Sequence, residues 1–363
     1  MIQLIIAVAL LAFAIDIYFG LSRRTRGMQF RFSRYNMYTL QPGTFSVTLS
    51  KHYYNLPDNQ DVACRFEIAP YGYLDAIRPC ENILVGGSAA FGVGSPGNAW
   101  NVSGHLREKY LADVINLAIP GWNIEQEVIT LLRHLDAIRP KRILLFDGAN
   151  NLALALPFDY HGYPTSADAL AFYGERKYAQ AIDEHFDTAP DVRRRATMLV
   201  REMLRHSVIA RAVYRVAGGQ QAAKASAAAT GGVDVDAQAA VAVENYLAWL
   251  KVLVAVAAAR GIEIHCILQP YYSYGRDGAE ARNFHFYSIN DTFDRYMVAA
   301  YGRLDSALSE FAGITYHPVF KEMAAESVGL FTDAVHLNGT GYGVIADKIS
   351  GIVLGSRHDK ETR

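Results

Sequence analysis

Two stretches far apart in the chain hold residue types that together could activate a hydroxyl. NILVGGSAAFGVGSPG (82–97) sets Ser88 among small residues directly after an apolar run. GLFTDAVHLNGTGYGVIADKI (329–349) carries Asp333 and His336 three residues apart, followed by Asn338 and the glycines Gly339, Gly341 and Gly343. A serine hydroxyl is a poor nucleophile at neutral pH unless a base takes its proton as it attacks. A carboxylate three residues before a histidine can bond Nδ1 and leave Nε2 facing that hydroxyl. Taken singly, each stretch has a plainer reading. Ser88 then sits in a strand-to-helix turn, and His336 is a polar group near a helix start.

Two more stretches offer hydrogen-bond donors. In NLAIPGWNIEQEV (116–128), Pro120-Gly121 breaks an apolar run, and Asn123 with Gln126 resembles a capping box. The helix that follows places Ile124, Val128, Leu131, Leu132 and Leu135 on one face. Gly121 thus lies just ahead of a helix N-terminus, where an unencumbered N–H suits a negative charge. In FDGANNLALAL (146–156), Asn150 and Asn151 present amides where an apolar run ends. A simple turn accounts for either stretch alone.

The elements that must position these residues are short apolar runs separated by helical patterns. NILVGG (82–87), VINLAI (114–119), RILLFDG (142–148), IEIHCILQP (262–270) and ITYHPV (314–319) read as five strands, and AVENYLAWLKVLVAVAAARG (242–261) as a helix. Alternation of this kind implies a mainly parallel sheet with helices on both faces, where ligands collect at the carboxyl ends of the strands. Residues 30–79 alternate apolar and polar groups and read as short strands and loops. A long insertion, about 152–240, contains GGQQAAKASAAATGGVDVD (218–236), a low-complexity stretch expected to be a flexible surface loop. There is no internal repeat.

Composition narrows the class. The chain has 363 residues, of which half are hydrophobic, enough to bury a sizeable core. Lys+Arg 35 against Asp+Glu 36 leaves a net charge of −1, without the basic excess of a nucleic-acid binder. Cys64, Cys80 and Cys266 show no zinc-like spacing, and Cys64 with Cys80 fits either a disulfide or two buried thiols. MIQLIIAVALLAFAIDIYFGL is nearly continuous apolar sequence without a basic leader or cleavage site. It reads as a retained single-span membrane anchor, although Asp16 interrupts it. Arg23, Arg24, Arg26, Arg31 and Arg34 all follow the span, which favours a cytoplasmic body.

GGSAAFG, NLAIPG, GANN and DAVHLNGTGY occur in order and at strand ends, and together they resemble the four blocks of the SGNH (GDSL-like) hydrolases. The resemblance runs from Asn82 to Ile349. It implies an α/β fold, a three-layer α/β/α sandwich on a flavodoxin-like five-stranded sheet. It also implies Ser88 as nucleophile, His336 as base and Asp333 as acid, with an oxyanion hole from Ser88, Gly121 and Asn150. No cofactor or metal is called for. The chain then divides into an anchor (1–22), a juxtamembrane extension (23–80), a hydrolase-like domain (81–355) and a polar tail (356–363). Envelope esterases of the family place the body outside the cytoplasm, against the charge bias, and the side stays open. Two departures are visible: Gly87 and Asn151 stand where the family has aspartates.

The expected function is a serine esterase acting on an O-acyl, for instance O-acetyl, ester of a small molecule or glycan. An O-acyltransferase on a glycan and a non-catalytic, membrane-tethered binding or assembly protein are the alternatives. A P-loop is disfavoured because no Lys-Ser/Thr follows the glycines, and a dinucleotide site because G-x-G-x-x-G is missing. An α/β-hydrolase elbow would want glycine at Ala90.

Overall fold

Five apolar runs form one parallel sheet, because strands buried on both faces need apolar side chains at every position. The structure, a computed structural model, describes residues 30–33, 35–51, 54–158, 234–275, 291–323 and 328–354. All of them fall in one compact unit made of Met28–Ala181 and Asp234–Arg363. The expected membrane anchor and most of the insertion lie outside the described residues.

Two antiparallel hairpins come first: β1 (Phe30–Ser33) with β2 (Met37–Leu40), and β3 (Gly43–Leu49) with β4 (Val62–Ile68). The sheet follows, with β5 (Asn82–Gly86), β6 (Val114–Asn116), β7 (Arg142–Asp147), β8 (Glu263–Leu268) and β9 (Thr315–His317). Its order is β6-β5-β7-β8-β9, all parallel. This is the flavodoxin-like order, with a switch point between β5 and β7. The helices are α1 (Ser88–Phe91), α2 (Val102–Tyr110), α3 (Ile124–Ile138), α4 (Ala149–Phe158), α5 (Val235–Arg260), α6 (Asp291–Ser309), α7 (Val319–Met323) and α8 (Gly339–Leu354). The β5-to-β6 crossover runs opposite to the later ones, so right-handed connections put α2 on one face and α3, α5 and α6 on the other. The contacts agree: α8 packs on α2, and α5 packs on α3, α4 and α6. The result is a three-layer α/β/α sandwich.

The strand ends differ from the sequence reading in a way that matters. β6 stops at Asn116 because its own Oδ1 takes the Ala118 N–H, although Leu117 and Ile119 still donate to Leu84 and Gly86. Leu132, expected on the buried face of α3, is 42% exposed. The buried stripe instead reaches round to Gln126 and Thr130, because the β1–β2 hairpin lies against that side. The last residues of the low-complexity stretch are ordered: Asp234 caps α5, accepting from the N–H groups of Asp236 and Ala237.

α5 is the one described helix long and apolar enough to cross a membrane. It buries Ala239, Ala242, Val243, Tyr246, Leu250, Leu253 and Ala257, a 3.6-residue stripe that covers the sheet, and so serves as a layer helix. Of the two options for Cys64 and Cys80, the structure has buried free thiols, each pushed up to about 11 by burial.

Candidate active site

Ser88 opens α1 directly after β5, at the carboxyl end of the sheet. The helix has no side-chain cap at Gly87, and no described residue accepts the Ser88 N–H. Phe91, on the same short helix, packs against Phe66 and Phe45 of the β3–β4 hairpin at centroid distances of 4.9 and 6.4 Å, which fixes its position.

His336 Nε2 lies 2.7 Å from Ser88 Oγ, and His336 Nδ1 lies 2.7 Å from Asp333 Oδ2. The carboxylate holds the proton on Nδ1, so Nε2 is the acceptor toward the hydroxyl. Asp333 is buried, yet its other oxygen takes the backbone N–H groups of Val335 and His336 at 2.9 and 2.8 Å. Burial alone would raise this carboxyl. The facing imidazole and the two backbone N–H donors overcome that and hold it below the usual carboxylate value.

The turn carrying these two residues is tied down on several sides. Thr332 N–H donates to the His336 carbonyl, and Asn338 N–H to Leu330. Asn338 Oδ1 takes the Gly341 N–H and so caps α8. From the end of β8, Gln269 Nε2 donates to the Val335 carbonyl at 2.6 Å and Tyr272 N–H to Ala334 at 2.8 Å. Gln269 and Tyr272 were not singled out in the sequence. Only their place just after a strand, in LQPYYSY, hinted at a role.

The donor side is built from two loops. Gly121 has φ +85°, a left-handed conformation that favours glycine, and no described residue accepts its N–H. Asn150 is not in a turn: it lies in the first turn of α4, and its Nδ2 donates to the Trp122 carbonyl at 2.6 Å. A side chain at Gly87 would put its Cβ onto that same Nδ2 and within 3.1 Å of the Trp122 carbonyl. The missing aspartate at 87 therefore makes room for the Asn150 carboxamide beside Ser88.

Asn151, the other departure, is buried and structural. Its Oδ1 accepts the Ile124 N–H at 3.0 Å and its Nδ2 donates to Glu125 at 3.2 Å. Just behind, Glu127 of α3 and Asp147 of β7 face one another, both fully buried. Burial first, and the facing Asp147 charge second, raise Glu127 well above the carboxylate range. Asp147 takes the Tyr246 hydroxyl at 2.7 Å. Burial pushes Asp147 up to about 6.

No family model and no curated protein matches the chain. Solved structures similar to it include a catalytic mutant of an acetylxylan esterase from Geobacillus stearothermophilus, at 14% identity and TM-score 0.40, covering 77% of this chain and 96% of that one. A GDSL-like lipase from Bacteroides thetaiotaomicron is similar at 11% identity and TM-score 0.35, covering 75% and 87%. A lipase/acylhydrolase from Enterococcus faecalis is similar at 14% identity and TM-score 0.36, covering 75% and 96%. Likenesses this distant assign no activity, and the site geometry has to carry the functional reading.

Proposed function

We propose that the protein is an SGNH-type serine esterase that cleaves an O-acyl ester through an acyl-serine intermediate. The observation that carries this reading is the unbroken hydrogen-bond chain Ser88–His336–Asp333. His336 Nε2 takes the Ser88 proton as Oγ bonds to the acyl carbon, and negative charge moves to the carbonyl oxygen. Asp333 stays ionised and stabilises the imidazolium. The N–H groups of Ser88 and Gly121, with Asn150 Nδ2, are the proposed donors to the oxyanion.

Collapse of the tetrahedral adduct breaks the ester C–O bond, and His336 returns its proton to the departing alcohol. Water, deprotonated by the same imidazole, then attacks the acyl-serine, releases the acid and restores Ser88. The substrate class is an O-acyl ester of a small molecule or glycan, for instance an O-acetyl ester. A sugar hydroxyl in place of water would make the same residues an acyltransferase. The apolar segment 1–22 is proposed as a single-span anchor, followed by the extension 23–80 and the hydrolase-like domain 81–355.

The reading is tested by hydrolysis of p-nitrophenyl acetate. Ser88→Ala should lower kcat by about three orders of magnitude or more while leaving the thermal melt unchanged. Equal activity in the variant would refute it.

A further inference from the structure

The segment between the apolar N-terminus and the sheet braces both halves of the candidate site. On the donor side, Tyr38 of β2 is 1% exposed and donates its hydroxyl to the Pro120 carbonyl at 3.1 Å. Trp122 Nε1 returns a bond to the Tyr38 carbonyl at 3.2 Å. These two bonds flank Gly121 on either side. Asn36, buried in the β1–β2 turn, exchanges bonds with Gln126 at 2.7 and 2.8 Å and also donates to Thr130. The same Trp122 carries the carbonyl that holds Asn150. On the acid–base side, Asn55 N–H donates to the Thr332 carbonyl at 2.8 Å and Asn55 Nδ2 to Phe331 at 2.9 Å, immediately before Asp333.

We infer that Tyr38 is a positioning residue for the oxyanion hole, and that the β1–β2 hairpin is a working part of the catalytic apparatus rather than a spacer. The inference rests on the esterase reading above. The Pro120 carbonyl and the Gly121 N–H belong to one planar peptide, so holding the carbonyl aims the N–H, and a left-handed glycine has no side chain of its own to pin it. Tyr38 supplies that restraint from outside the sheet. Loss of its hydroxyl leaves the Pro120 carbonyl, buried behind the ring, without its partner and lets the loop shift. Misplacement of a stabilising donor by a fraction of an ångström acts on turnover rather than on ground-state binding.

The test uses the full chain and p-nitrophenyl acetate. Tyr38→Phe keeps the ring and removes only the hydroxyl. It should lower kcat about tenfold, with KM within about twofold and a thermal melt close to wild type. In the Asn150→Ala background the same change should cost less than about twofold, because both act on one oxyanion. If the Phe variant does not accumulate folded, Trp122→Phe, which removes the returning bond, must show the same split between kcat and KM. Wild-type kcat in Tyr38→Phe, or a tenfold loss undiminished by Asn150→Ala, overturns the inference. Ser88→Ala, run alongside, separates the two claims: if it retains hydrolysis, the esterase reading itself has failed.

Discussion

Asn151 Oδ1 accepts the Ile124 N–H at 3.0 Å, so the helix after β7 satisfies the first turn of the helix after β6. Its neighbour Asn150 reaches the Trp122 carbonyl just ahead of that turn. Two adjacent asparagines thus bind one loop in different ways. Asn151 holds the buried helix start, and Asn150 lies beside Ser88.

This division predicts different failures. Asn150→Ala should lower kcat by about two to three orders of magnitude with little change in KM. Asn151→Ala should instead lower stability by about 1–3 kcal/mol, because it strands the Ile124 N–H in a buried site. Kinetics and thermal melts on both variants check this. A larger kcat loss for Asn151→Ala would move the oxyanion role to that residue.

Gly87→Asp introduces the residue type that SGNH hydrolases carry at the equivalent position, and should lower turnover. The new Cβ meets Asn150 Nδ2, so the carboxamide must swing away from Ser88. Turnover should fall about 100-fold, comparable to losing one oxyanion donor. Activity equal to wild type would show that Asn150 is free to adjust and that Gly87 is incidental.

The strands were legible because a parallel sheet demands continuous apolar runs, and NILVG and RILLFD are short runs of that kind, each closed by glycine. Three of the site positions were legible because Ser88, Gly121 and Asn150 each follow such a run, and His336 through its spacing to Asp333. Asn36, Tyr38 and Asn55 were not. A polar residue inside an alternating segment looks the same whether it faces water or a loop 276 residues on, as Asn55 faces Phe331. Leu132 shows the complementary limit: a helical period gives a stripe but not which neighbour covers its edges. The buried Glu127 likewise reads as an ordinary first-turn acid until Asp147 is seen beside it.

That pair predicts a pH dependence of stability. Both carboxyls are raised by burial above their unfolded values, Asp147 to about 6 and Glu127 well above the ordinary carboxylate value. Their contribution is fully present below about pH 4 and is lost as pH rises through these values. Glu127→Gln keeps the side-chain shape and removes one of the two ionisable groups. Its melting temperature should exceed that of wild type at pH 8 and fall off less between pH 5 and pH 8. Parallel melting curves for the two proteins across that range would contradict a raised Glu127 carboxyl.

Full-length protein should fractionate with membranes and resist carbonate extraction, since about 20 apolar residues suffice to span a bilayer. A chain beginning at Gln29 should be soluble and, because it keeps Tyr38 and Asn55, fully active. Recovery of the full-length chain in the soluble fraction would refute the anchor.

If His336 activates Ser88 for attack on an acyl carbon, a phosphonylating reagent should capture that serine covalently. Purified protein is treated with a fluorophosphonate probe and the adduct is located by peptide mass mapping. A single phosphonylated serine, Ser88, is expected, with labelling at least about 100-fold slower in His336→Gln. Absence of an adduct on Ser88, or labelling at the same rate without the imidazole, would contradict it.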